Sequence, residues 1–349
     1  MNDKRFSLIL LCAIFAYLLC VALINVVVDP FYIFRTPFLK VQAQINDRYA
    51  KIEFLEKESG RFNSYIMGSS RMLLTHPEVV EKYIPADKFY NLATIFGTMY
   101  EHMLHLKYFI EKGCPVKNLY IGVDMDMYSA ATVHDDKDLL LKLHYRVLKK
   151  NPIAFYWSYM SVLPKGDLRR KLRVNFNKKS GSKYEIEKDG AVALEPETES
   201  TRVFFERPLG NRITIINERT KENLEALKEL VALCRKHRVN LILFITPYHK
   251  NLMDCFVEED YMTLLRVLSE ISPFWDFSGY NSITTDNKNY LDHSHYNPSV
   301  SRMIAARIFG DRTLTLPRDF GVWVTEKNID SHLENVKIGF KNRVLRPSS

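Results

Sequence analysis

Residues 63–71, Asn63-Ser64-Tyr65-Ile66-Met67-Gly68-Ser69-Ser70-Arg71, read as a short apolar strand that runs straight into a glycine-serine turn. The same grammar recurs downstream. Lys88–Leu92 reads as a strand, Gly97 marks a turn, and Thr98–Lys112 carries helical periodicity. Asn118–Val123, Asn240–Ile245 and Phe274–Phe277 are further strands. The helices Asn217–His237, Glu258–Ile271 and Asn297–Phe309 separate or follow them. Strands that are apolar throughout and alternate with helices belong to a parallel sheet covered on both faces. The expected fold is therefore α/β, three layers, α/β/α. In open sheets of this kind ligands sit at the carboxyl ends of strands.

Upstream of this region, Phe6–Val28 carries no charge. At about 1.5 Å per residue, a helix of that length crosses a hydrocarbon core of roughly 30 Å. About fifteen of its residues are Leu, Ile, Val or Phe, which outweigh Ser7 and Asn25. The run is longer than a signal-peptide core and ends in Val26-Val27-Val28, not in a small-x-small cleavage site, so a retained anchor is expected. Lys4 and Arg5 favour a cytoplasmic N-terminus, although Arg35, Lys40 and Arg48 follow on the other side. The expected organisation is a stub and anchor over 1–29 and an extracytoplasmic domain over 30–349.

The helices Ile45–Ser59, His76–Tyr83 and Lys137–Lys150 complete the expected elements. From about 165 to 211 basic and polar residues dominate, with turn signals at Ser180-Gly181-Ser182 and Asp189-Gly190. That stretch is expected to be a surface insertion, a hairpin with loops. The tail from Asp311 has no clear class.

Hydrophobic residues make up 46% and charged residues 26% of the 349 residues, which suits a globular core and not a disordered chain. The net charge of +8 suits an anionic surface or polymer. Nucleic acid is not expected, because zinc-finger spacing, aromatic RNA-binding signatures and long basic runs are missing. Five cysteines without a CxxC pair argue against a disulfide framework and against structural zinc.

Four stretches carry candidate chemistry. Gly68-Ser69-Ser70-Arg71 can present a serine hydroxyl at the top of a strand, or can merely cap a helix. Asp292-His293-Ser294-His295 sets a carboxylate three residues before an imidazole, the spacing that lets Asp292 fix the tautomer of His295. Tyr90-Asn91-Leu92 with Gly97 offers a backbone N–H for an oxyanion, or an ordinary turn. Asp124 and Asp126 end a strand and could hold a cation or sugar, or cap a helix. His293, with Asp292 and the distant His249, could instead form a metal site.

Together these blocks resemble the SGNH (GDSL-like) hydrolase superfamily. Within it the chain looks most like the single-span proteins related to the D-alanyl-lipoteichoic acid biosynthesis protein and the alginate O-acetylation proteins. Val-Asp-Pro-Phe-Tyr (28–32), Gly-Ser-Ser-Arg, Tyr-Asn-Leu-Ala, Ile-Gly-Val-Asp and Phe-Ile-Thr-Pro-Tyr-His (244–249) carry the resemblance. It implies Ser70 as nucleophile and His295 and Asp292 as its base and orienter. Gly97, Arg71, Asn91 and Asp124 are the expected oxyanion or substrate-binding residues.

No cofactor and no metal are expected, because the second His-rich motif that a metal site usually shows is missing and the Asp292–His295 spacing already has a metal-free explanation. The resemblance implies work beside a membrane-bound O-acyltransferase, on acyl groups of a polysaccharide or cell-wall polymer. Two departures stand out: Gly-Asp-Ser becomes Gly-Ser-Ser, and the third-block asparagine has no match near Gly122-Val123-Asp124. An aspartate donates only when protonated, so weak hydrolysis of generic esters is expected. The rival expectations are a non-catalytic membrane-anchored partner and a metal-dependent hydrolase.

Overall fold

The strand runs pair as their apolar character requires. In the computed structural model, which describes residues 3–58, 60–128, 138–177, 185–193, 205 and 212–343, the chain divides into two compact units. One comprises Met1–Lys57, Asp135–Glu185 and Ala193–Glu195; the other comprises Glu58–His134, Ile186–Val192 and Pro196–Ser349.

The second unit holds the sheet. Its strands are β1 (Ser64–Met67), β2 (Phe89–Asn91), β3 (Asn118–Val123), β6 (Asn240–Ile245), β7 (Phe274–Asp276) and β8 (Val322–Val324). A separate ribbon, β4 (Glu185–Ile186) and β5 (Val192–Ala193), closes over the Asp189-Gly190 turn. The sheet order is β2-β1-β3-β6-β7-β8. The first five strands are parallel, and β8 joins β7 antiparallel. Every residue of β1, β2 and β3 is buried. Successive side chains of a strand point to opposite faces, so both faces are covered.

Right-handed crossovers separate the helices by the direction in which the chain travels. Glu78–Glu81, between β1 and β2, falls on one face and packs against Pro298–Ile308. Met99–Glu111, Glu218–His237 and Glu258–Ile271 follow the opposite direction of travel and pack on one another in series. Caps fix where these helices begin. Thr98 Oγ1 accepts from Glu101 N, Asn217 and Thr220 form a reciprocal box, and Asn297 precedes Pro298 at the first turn. The chain reverses lateral direction between β1 and β3. That is the switch point at which a doubly wound sheet opens a crevice beyond its strand ends.

The tail from Asp311 has a class after all. It supplies β8 and the helix Ile329–Arg343. His332 on that helix bonds the buried Asp276 at the end of β7 at 2.7 Å. All five cysteines are free thiols.

The first unit is helical. Asp3–Val28 is one continuous helix, and its stretch Lys4–Val28 is long and apolar enough to cross a membrane. Asp47–Lys57 and Pro152–Ser161 contribute to a core of Phe31, Ile33, Tyr49, Leu139, Phe155 and Tyr159, and Lys165–Phe176 packs against the long N-terminal helix.

Two expectations fail here. The described part of Lys137–Lys150 is a series of turns, not a helix. Asn46 Nδ2 captures the carbonyls of Leu139 and Lys142, at 3.1 and 2.9 Å, that a helix would have used. His144 stacks on Tyr49 with ring centroids 5.1 Å apart. Conversely, Lys165–Phe176 is helical where loops were expected. It buries only Leu168 and Lys171, too narrow a stripe to announce itself by periodicity. Ser180-Gly181-Ser182 lies outside the described residues.

Candidate active site

Strand β1 ends at Met67, and Gly68 then takes φ +154. A Cβ there would sit 2.3 Å from Met72 Cγ and 2.9 Å from the Gly122 carbonyl. Only glycine lets the chain turn this sharply against β3. Ser69 caps a single 3-10 turn, Ser70–Met72. Ser70 thus stands half-buried at the carboxyl edge of the sheet, at the switch point. As the first residue of a helical turn, its N–H has no acceptor within that turn.

The partner imidazole arrives from the loop after β7. Leu291 N donates to the His295 carbonyl at 2.8 Å, and a bridge between Tyr290 and Tyr296 closes the loop. Inside it, Asp292 Oδ1 accepts from the backbone N–H groups of Ser294 and His295 at 2.6 and 2.8 Å. This Asx-type turn explains the three-residue spacing. It folds the carboxylate back onto the imidazole of His295, whose Nδ1 lies 2.8 Å from Asp292 Oδ2. His295 Nε2 lies 2.8 Å from Ser70 Oγ.

The carboxylate can only accept, so Nδ1 carries the proton and Nε2 accepts from the Ser70 hydroxyl. Burial pushes the Asp292 carboxyl up. The hydrogen bond and charge of His295, with the two backbone N–H groups, outweigh burial and bring it down to about 2. Asp292 is therefore ionised at neutral pH and holds one tautomer. Both side chains are about one-third exposed, so solvent and a ligand can reach them.

Arg71 binds this arrangement together. Its Nη1 and Nη2 form a two-pronged pair with Asp126, 3.0 Å each. Nε and Nη2 donate to the Ser294 carbonyl and hydroxyl at 2.9 and 2.6 Å. Asp124 lies 3.3 Å from Nη1, and the Tyr248 ring covers the guanidinium face at 4.7 Å. Burial alone would lower the Arg71 pKa, but the charges of Asp124 and Asp126 hold it well above the ordinary value. Asp124 in turn accepts from the hydroxyls of Ser69 and Thr246. The Ser70 turn, the ends of β3 and β6, and the histidine loop thus meet on one guanidinium.

The remaining expected site residues land differently. The Gly97 N–H donates to the Thr94 carbonyl at 3.0 Å, which commits it to a turn and not to an oxyanion. Its lack of a Cβ matters for packing, since a methyl there would meet the Gly68 carbonyl at 2.6 Å. Asn91 is fully buried. Its amide donates to the carbonyls of Met72 and Thr75 at 2.8 Å each, and so braces the turn after Ser70. The named bonds of Arg71 and Asp124 likewise run to protein groups.

His249 accepts from Asn251 N at Nδ1 and pairs Nε2 with Asn287 Oδ1 at 2.9 Å. Both nitrogens are occupied, and Asp292 is committed to His295, so these two do not join His293 as metal ligands. Among the described residues, ligand atoms of His76, Glu187 and Asp189 do come within 4.8 Å of one another.

No protein-family model and no curated protein matches the chain. Ser69, Thr246, Ser294 and Asp126 as a guanidinium partner are the residues the sequence reading missed. One signal existed for Thr246: β3 and β6 pair with Val123 opposite Ile245, so Asp124 and Thr246 leave neighbouring strands side by side.

Proposed function

We propose that this chain is a membrane-anchored serine esterase or O-acyltransferase of SGNH type. The observation that carries the reading is the continuous relay Ser70–His295–Asp292, with 2.8 Å at each of its two links, set at the switch point of a parallel sheet. A serine hydroxyl needs such a base, and the base needs such an orienter. In the proposed reaction His295 Nε2 takes the Ser70 proton as Oγ attacks an acyl carbonyl. The imidazolium formed is stabilised by ionised Asp292, and it then returns the proton to the departing alcohol. A second hydroxyl, from water or a sugar, reverses the sequence and carries the acyl group away.

The acceptor class follows from the resemblance and the basic balance of the chain: an O-acylated, anionic cell-surface polysaccharide or cell-wall polymer. Lys4 and Arg5 support a cytoplasmic N-terminus, and hence an extracytoplasmic sheet unit beside a membrane-bound O-acyltransferase.

One observation favours a second reading. The Ser70 N–H remains as an oxyanion donor, whereas the Gly97 N–H and the Asn91 amide are engaged elsewhere. A lost donor of this kind costs about 10²–10³ in rate. A non-catalytic, polymer- or acyltransferase-binding partner would tolerate such a site.

The separating experiment is acetyl release from p-nitrophenyl acetate by the full chain in detergent, beside Ser70→Ala. The anchor is kept because Asn25 within it bonds the carbonyls of Met160 and Val162. Slow release that disappears in the variant supports the enzyme. Equal rates in both proteins, with polymer still bound, support the partner.

A further inference from the structure

The helix that begins at Asp3 is exposed on every side from Lys4 to Cys20, and then its surroundings change. Val21 and Asn25, one turn apart, are buried. Asn25 Nδ2 donates to the carbonyls of Met160 and Val162 at 3.2 and 2.7 Å, at the end of the helix Pro152–Ser161. Counting back from Val28 at about 1.5 Å per residue, Asn25 lies about 4.5 Å and Val21 about 10 Å inside the apolar helix end. Helices that lie in a membrane interface sink their apolar side about 5–10 Å into the headgroup–acyl boundary. Pro152–Ser161 is tied to the anchor at that depth.

The outward faces of the two helices beside the anchor have the matching chemistry. Phe155 and Tyr159 turn one side of Pro152–Ser161 into the aromatic core. Ile153 and Trp157, also four apart, are 77% and 51% exposed. The helix Lys165–Phe176 likewise packs beside the anchor. It turns Leu168 and Lys171 inward and leaves Lys165, Arg169, Leu172, Arg173 and Phe176 exposed along one stripe. Phe176 is 76% exposed. Among the described residues no carboxylate pairs with Lys165, Arg169 or Arg173.

We propose that these two helices are an interfacial platform that docks on a lipid surface bearing anionic headgroups. Trp157 and Ile153 enter the boundary layer, and Lys165, Arg169 and Arg173 reach the phosphates. Tryptophan suits that layer because its ring is apolar and its N–H is not. Lysine and arginine stems lie along apolar surface while their heads stay at the phosphates. Three cations without a carboxylate partner among the described residues, next to exposed apolar side chains beside an apolar helix, favour lipid over a protein groove. The proposal rests on Lys4–Val28 crossing the membrane, and on nothing in the chemistry of Ser70.

The test uses the full chain in nanodiscs of phosphatidylcholine, with or without phosphatidylglycerol, containing lipid brominated near the carboxyl end of its chains. The chain has three tryptophans, so Trp157→Phe isolates the one that matters. Brominated lipid is expected to quench wild-type fluorescence, and Trp157→Phe is expected to lose most of that quenching. Lys165→Glu/Arg169→Glu/Arg173→Glu is expected to weaken quenching in the anionic discs and leave it unchanged in the zwitterionic ones. Equal quenching in wild type and Trp157→Phe overturns the proposal and leaves this face to a protein partner. Extraction of the chain by alkaline carbonate overturns the spanning helix itself, an outcome read separately from the fluorescence.

Discussion

Replacing Arg71 by methionine removes five contacts in one step while nearly preserving volume. The guanidinium holds Asp126 with two bonds, the Ser294 carbonyl and hydroxyl with two more, and Asp124 by charge at 3.3 Å. The Asp124 side chain is 1% exposed, so the variant strands a buried carboxylate without its cation. Breaking a buried pair in this way costs about 3–5 kcal/mol. At roughly 2 °C per kcal/mol for a protein of this size, Tm should fall by about 6–10 °C in a thermal ramp of the detergent-solubilised chain.

Activity should fall as well, because Ser294 neighbours His295. A displacement of the imidazole by about 1 Å is worth roughly 10² in rate. Arg71→Lys separates the two effects. It keeps a cation near Asp124 but lacks the planar fork, so most of the stability should return while the rate stays low. A Tm for Arg71→Met within 2 °C of wild type, or full activity in Arg71→Lys, would refute the idea that this guanidinium joins the three elements.

Other outcomes follow from the same geometry. Asp292→Asn should leave the fold intact and lower esterase kcat by about 10⁴, because an amide can donate to Nδ1 and so select the wrong tautomer; steady-state kinetics checks this. Gly97→Ala places a methyl 2.6 Å from the Gly68 carbonyl and should cost about 1–3 kcal/mol, read as a lowered urea midpoint. Acid should destabilise both units. Burial lowers His144 and His249 from an ordinary value near 6.5 to about 4. The stability each contributes is complete above 6.5 and drains as pH falls towards 4, by about 3 kcal/mol apiece at most. Urea midpoints at pH 7 and pH 5 measure the slope, and His249→Gln should remove part of it.

The parallel sheet was legible because β1, β2, β3 and β6 are short apolar runs bounded by glycine, proline or a helix cap, and such runs have few other fates. The Asp292–His295 contact was legible for a local reason. An Asp-x-x-His stretch in a loop can close an Asx turn that folds the carboxylate back onto the imidazole, and Asp292 does so through the N–H groups of Ser294 and His295. Long-range partners left no such trace. Arg71 reaches Asp126 across 55 residues and Ser294 across 223, and no spacing rule connects them.

The Gly97 N–H looked free because a sequence shows the glycine but not the carbonyl, Thr94, that accepts from it. Residues 138–150 misled for a related reason. Their periodicity is helical, but one side chain from elsewhere, Asn46, takes the carbonyls a helix needs. The helix Lys165–Phe176 was missed because its exposed face carries lysine and arginine, which by composition alone look like solvated loop.

The proposed function requires Ser70 to be a nucleophile activated by His295. Intact-mass spectrometry of the full chain after exposure to a fluorophosphonate tests it most directly, since this reagent marks serines that a neighbouring base has activated. One phosphonyl adduct on Ser70, absent from Ser70→Ala and much slower in His295→Ala, is the expected result. An unmodified wild type, or an adduct that persists in Ser70→Ala, would contradict it.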